Sequence, residues 1–216
     1  MNQNAGFSIV SYTGNGTSGA TVGHGLGKAP SFIIVKNREA AEDWQVGHTS
    51  LGWTKRLFLD LSVGIQTNTG AWNDTAPTSS VITLGSGSLA NQSSKKHIAY
   101  CWAEIEGFSK FGSYVGNGNA DGPFVYCGFK PAWVMIKRSS ASENWAILDS
   151  SRNSTNLTNN FLRPDESSIE TISAADMDLL SNGFKLRGTD TKSNGSGSTY
   201  IFVAFAESPL QTANAK

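Results

Sequence analysis

GFSIVSYTGNG, residues 6–16, returns as GFSKFGSYVGNG, residues 107–118, and that return decides how the chain is read. Three more stretches repeat in the same order. KAPSFIIVK (28–36) is answered by KPAWVMIK (130–137), EDWQV (42–46) by ENWAI (143–147), and IAYCWAE (98–104) by IFVAFAE (201–207). Trp44 and Trp145 stand at equivalent points 101 residues apart, and the four spacings run from 101 to 103. Self-similarity at a fixed period marks a repeated structural unit. The spacing predicts an ancient duplication with one β repeat over 1–105 and a second over 106–216.

Composition and pattern point to β-structure. The chain has 23 glycines and 10% aromatic residues, with abundant Ser, Thr and Asn, the usage of strands joined by many turns. In the first copy the pattern predicts strands at Phe7–Thr13, Phe32–Lys36, Trp44–His48, Arg56–Leu61, Val81–Leu84 and His97–Glu104, and the second copy repeats the order. FIIV, WVMI, IAYCWA and IFVAFA are apolar at every position, as in strands held between layers, while the others alternate. Helix is expected only at Ala40–Asp43 and at Ser173–Leu180, where SAADMDLL followed by SNG offers an N-cap and a glycine stop. Almost no linker separates Glu104 from Gly107, whereas independent beads need slack. The expected architecture is all-β: two repeats packed with pseudo-twofold symmetry as one compact β-sandwich-like unit of jelly-roll or lectin-like kind, with tandem separate sandwiches as the alternative. NQSSKK (91–96) and TDTKSNGSGS (189–198) precede the two last strands and are expected to be exposed hairpin loops.

Several chemistries are disfavoured by the residues themselves. GNGTSG (14–19) has the glycine spacing of a dinucleotide turn, but a strand rather than a helix follows it, and the second copy reads GNGNAD without the third glycine. What both copies keep is a GNG turn, because Gly and Asn tolerate positive φ. GHGLGK (23–28) is one residue too short for a phosphate loop and continues into Ala29 instead of Ser or Thr. With 17 basic and 17 acidic residues the chain has no net field to draw it to nucleic acid. Cys101 and Cys127 lie in the apolar runs IAYCWA and FVYCGF, where reduced buried thiols are expected and a disulfide is the alternative. MNQNAGFSIV carries neither a signal peptide nor a membrane span, so synthesis in a cytoplasm is expected.

No catalytic, cofactor or metal constellation stands out. His24, His48 and His97 are not at metal-ligand spacing, and the position equivalent to His48 in the second copy is Asp149. The acids of PDE (164–166) and DMD (176–178) lack the counterpart a glycosidase needs, Asp176 and Asp178 supply too few oxygens for a calcium loop, and no G-x-S-x-G elbow is present. The candidate contact residues are Trp53 and Trp72, set in HTSLGWTKR (48–56) and TGAWND (69–74) beside Asn73 and Asp74. Neither tryptophan has a partner in the second copy, which is the divergence a grafted glycan or partner site would produce; covering a sheet edge or sitting in a subunit contact is the structural alternative.

GFSIVSYTGNG, VGHGLGKAPSFIIVKNR, LLSNGFKLRGT and the ending YIFVAFAESPLQTANAK together resemble a domain found in structural proteins of marine and other bacteriophages, often at the C-terminal end of large tail or fibre-like chains. The resemblance covers nearly the whole sequence. It implies a virion component in an appendage or surface layer and brings no catalytic residues. The expected function is that of a non-enzymatic virion structural protein, in a tail or fibre-like appendage or decorating the capsid. Its expected partners are other virion proteins and copies of itself, with host attachment through a surface glycan, and neither nucleic acid nor membrane among them. A lectin-like carbohydrate-binding module is the alternative.

Overall fold

The computed structural model describes residues 1–153, 155 and 157–208, and of 173–175 the backbone alone. The chain divides into two compact units, the first comprising Met1–Leu61 and Ile65–Glu104, the second comprising Ser62–Gly64 and the chain from Ile105 onward. Both are antiparallel β-structure with very little helix, as the turn-rich composition predicts.

In the first unit the strands are β1 (Phe7–Thr13), β2 (Ala20–Gly23), β3 (Phe32–Asn37), β4 (Gln45–His48), β5 (Lys55–Phe58), β6 (Gln66–Thr67), β7 (Val81–Leu84) and β8 (Lys96–Trp102). Six form one sheet in the order β1-β8-β3-β4-β5-β6, and β2 pairs with β7. Two single-turn helices, α1 (Thr69–Trp72) and α2 (Ser88–Asn91), complete the unit. Ile33, Val35, Ala99 and Cys101 of the large sheet pack on Ile82 and Leu84 of β7, on Ala71 and Trp72 of α1 and on Ala90 of α2. The core thus lies between the sheet and a second layer that is part strand and part helical turn.

The second unit is a sandwich of two four-stranded sheets. Its strands are β9 (Ser109–Val115), β10 (Phe124–Tyr126), β11 (Pro131–Arg138), β12 (Ala146–Asp149), β13 (Thr158–Phe161), β14 (Thr171–Leu180), β15 (Gly183–Leu186) and β16 (Thr199–Ala206). One sheet runs β12-β11-β16-β9 and the other β10-β15-β14-β13. Val134, Ile136, Tyr200 and Phe202 of the first meet Val125, Met177, Leu179 and Phe184 of the second. Burying a side chain of this size stabilises the fold by roughly 1.5–3 kcal/mol.

The two units share a strand plan. β9-β16-β11-β12 reproduces β1-β8-β3-β4, and the β10–β15 pair corresponds to β2–β7. Register agrees as well: Phe7 and Phe32 both face Trp102, and Phe32 faces His48, while Ser109 and Trp133 both face Phe205, and Trp133 faces Asp149. A one-residue slip would have turned every side chain to the opposite face.

The GNG turns are clamped by a buried asparagine in each unit. Asn91 Nδ2 donates to the carbonyls of Thr17 (3.0 Å) and Gly85 (2.8 Å), and its Oδ1 accepts from the Asn15 amide (2.9 Å). Asn194 repeats this on the Asn119 and Gly188 carbonyls (both 2.8 Å) and the Asn117 amide (2.9 Å). The Tyr12 hydroxyl donates to Ala90 O (2.6 Å) and the Tyr114 hydroxyl to Ser193 O (2.7 Å). A Cβ on Gly14 or Gly116 would strike a carbonyl oxygen of the same clamp, and Gly16 and Gly118 hold φ near +70° and +66°. The glycines of GNGTSG therefore serve a turn pressed against backbone.

Three expectations need correction. SAADMDLL is strand, not helix: Met177 and Leu179 enter the core at every second residue, and Ser181–Asn182 form a two-residue turn closing the β14–β15 hairpin, in which Leu180 faces Gly183. Ala40–Asp43 is not helical; the Lys36 ammonium donates to the Glu42 carbonyl there, as Lys137 does to Glu143 O (2.7 Å). NQSSKK and TDTKSNGSGS are not exposed loops throughout, since Asn91, Lys192, Ser193, Asn194 and Ser198 are buried. The side chains expected to be solvated are the clamp.

Candidate binding surfaces

Trp53 and Trp72 come together in the first unit, but not as an exposed plate. Trp72 ends α1 and is only 1% exposed, one of the largest buried side chains of the chain. Trp53 is half-buried and meets it edge to face, with ring centroids 5.7 Å apart. Both rings lie over Gly47, where a Cβ would come within 2.6 Å of Trp53 and 2.8 Å of Trp72. Asn73 adopts a left-handed conformation (φ 52°) as the α1 C-cap, its amide donating to Thr69 O (2.9 Å), and Asp74 follows at φ 50°. The expected contact site thus dissolves: Trp72 is core, Trp53 covers it, Asn73 shapes a turn, and Asp74 is left exposed.

The polar residues weighed for chemistry are engaged structurally. His24 donates from Nε2 to Thr78 O (3.1 Å) and accepts the Leu26 amide at Nδ1 (3.2 Å); burial lowers its pKa. His48 Nδ1 accepts from the Ser50 amide (3.1 Å). Asp165 Oδ1 accepts from the Trp145 amide (3.3 Å), and Glu166 pairs with Arg163 (3.1 Å). Asp176 pairs with buried Lys192 (2.7 Å), whose ammonium also stands 4.7 Å from the Phe161 ring centroid. Cys101 and Cys127 are buried and not joined in a disulfide, and burial pushes the Cys101 thiol up to about 12. Among the described residues no group of three His, Cys, Asp or Glu is placed to hold a metal ion.

Among the described residues two surfaces stand out as open to a partner. The first is the edge formed by β1, which pairs with β8 on one side and, among the described residues, carries only the Asn2–Phe7 bridge on the other. Phe7 exchanges its two backbone bonds with Asn2 (2.7 and 3.0 Å), so the alternation of an antiparallel ladder turns the peptide groups of Ile9 and Ser11 outward too. No partner for them is found among the described residues. β1 contains neither charge nor proline, and Ile9 is 51% exposed. A groove of about 220 Å³ runs alongside, between Val10–Thr13 and Ala20–Gly23. The matching edge strand β9 carries Lys110 and Gly112 where β1 has Ser8 and Val10.

The second surface is the outer face of the β10-β15-β14-β13 sheet. Val125 points into the core, so its neighbours Phe124 and Tyr126 point out, 45% and 63% exposed. Across the ladder Phe124 faces Lys185 and Tyr126 faces Gly183. Lys185 Nζ pairs with Asp121 (2.8 Å) and donates to Gly122 O (2.7 Å), and that ammonium lowers the Asp121 pKa. One strand further, Asp178 pairs with Arg187 (2.6 Å). A recess of about 500 Å³ in the same unit is bordered by Lys130, Ser150, Asn153, Thr158, Leu180 and Glu207. The Asn153 amide is already spent on Asn159 Oδ1 (2.8 Å) and the Asn159 and Asn160 amides (both 3.2 Å). FVYCGF reads as a uniformly apolar run, which hid this exposed pair; the signal that could have found it is the alternation around Val125 in a three-residue strand.

No curated protein and no solved structure matches the chain. A family described as a domain of unknown function, DUF7483, matches residues 1–209, and the chain belongs to that family.

Proposed function

We propose that this chain is a non-enzymatic structural protein of a bacteriophage virion, in a tail or fibre-like appendage or on the capsid surface, that joins copies of itself and other virion proteins. The observation that carries the reading is the unguarded β1 edge. Sheet proteins blunt free edges with lysine, proline or bulges, because a row of unpaired peptide groups templates another strand. β9 carries such a guard and β1, built on the same plan, does not. Strand addition at β1 suits a protein that works by assembly. The resemblance of the repeats to phage appendage domains supports placing that assembly in a virion.

Ser11→Pro tests it. The missing N–H is one that points outward, so pairing with β8 survives while an added strand loses a bond. Sedimentation velocity is expected to show an associating wild type and a folded, monomeric variant. A wild type that stays monomeric at high concentration would remove the argument.

A second reading, a lectin-like carbohydrate-binding module, is favoured by the exposed Phe124–Tyr126 pair.

A further inference from the structure

We infer that the outer face of the β10-β15 pair is a saccharide-binding platform, with Tyr126 and Phe124 as the stacking surface and Lys185 and Asp121 as the hydroxyl-binding groups. The inference rests on the lectin-like reading above and gives it a site.

The platform is built rather than incidental. Two residues apart on one strand, Phe124 and Tyr126 project from the same face at backbone positions about 7 Å apart. A Cβ on Gly183 would strike the Val125 carbonyl oxygen and come within 3.1 Å of Phe124 Cζ, and one on Gly128 would come within 3.5 Å of the Tyr126 hydroxyl, so a glycine stands beside each ring. Gly128 holds φ at +82°, which strains any other residue. Beside the rings stand a donor and an acceptor. Lys185 lies directly across the ladder from Phe124, and its partner Asp121 keeps an ionised carboxylate in water, 84% exposed. An apolar plate bordered by an ammonium and a carboxylate matches a pyranose, which has one face of C–H groups and a rim of hydroxyls.

Area decides between a sugar and a protein. An aromatic side chain offers roughly 150–250 Å² in all, so two rings about half exposed present roughly 200 Å². A stable protein partner needs about 800 Å² on each side. The corresponding positions on β2 are Thr21 and Gly23, and those on β7 are Val81 and Thr83, so the first unit has no such plate. One site per chain implies weak binding that copy number in an assembly would multiply.

The test uses the full chain and a glycan array of mono- to tetrasaccharides, followed by NMR titration with the saccharide giving the strongest signal. The expected result is a saccharide whose addition shifts the ring resonances of Phe124 and Tyr126. Its affinity should fall about tenfold or more in Tyr126→Ala and stay nearly unchanged in Tyr126→Phe, which keeps the plate. A blank array, or binding that Tyr126→Ala leaves intact, overturns the inference. Sedimentation of the same samples separates the two proposals: Tyr126→Ala should leave self-association at β1 untouched. Should it instead dissociate the wild-type oligomer, the plate is a protein interface and the saccharide assignment is wrong.

Discussion

Asn91 and Asn194 show how much one buried side chain can carry. Each amide replaces water for three backbone groups on two separate loops, which no apolar residue could do. Asn91→Ala or Asn194→Ala would leave several buried polar groups unpaired, and each is expected to cost about 2–4 kcal/mol, read as a lower urea midpoint at unchanged m-value. His24 makes a prediction in pH. Its Nδ1 accepts a backbone amide and its surroundings are buried, so the folded state binds a proton less readily than the unfolded chain. With a folded pKa below about 6.5, its contribution is complete above that pH and is lost as pH falls below it. Urea unfolding at pH 5 and pH 7.5 should show lower stability in acid, and His24→Asn should narrow the difference.

Elements were legible where a pattern of period two or a continuous apolar run met a clear turn. β1 and β7 lie where the spacing predicts them, and β3, β4 and β8 within a residue or two. The short strands β2 and β6 escaped, and so did two other kinds of element. SAADMDLL satisfies a helix start and stop, yet pairing of β14 with both β13 and β15 outweighs local propensity. α1 and α2 are single turns whose residues are held by packing of Trp72 and Ala90, and their sequences carry no helical period. β1 also shows that an element's consequence depends on its position in the sheet: Val10→Pro, whose N–H faces β8, should unfold the first unit, whereas Ser11→Pro should not. Far-UV circular dichroism of the two variants separates these outcomes.

Across the whole molecule the division into units does not follow the chain in one step. Ser62–Gly64 belongs to the second unit although the chain on either side belongs to the first. Ser62 O accepts from the Lys137 ammonium (3.0 Å) and the Glu143 amide (2.8 Å), and a Cβ on Gly64 would press on the backbone of Ser139 and Ala141 at 3.0–3.1 Å. Gly64→Val is therefore expected to destabilise the second unit by about 1–3 kcal/mol. Hydrogen exchange should show protection falling at Ile136 and Ala204 while Ile33 and Cys101 keep theirs. Equal losses in both units would contradict the assignment.

From the sequence alone came the β class, the two like-ordered halves and most strands, because alternation, apolar runs and repeated spacing are local and survive without a partner. Tertiary structure decided which aromatic residues are free. Trp72 and Tyr126 look alike as letters near turns, yet one is sealed under Trp53 and over Gly47, and the other stands outside an edge strand beside a glycine. Exposure is a property of what packs on a side chain, and for Trp72 the neighbours that decide it, Trp53 and Gly47, come from other parts of the chain.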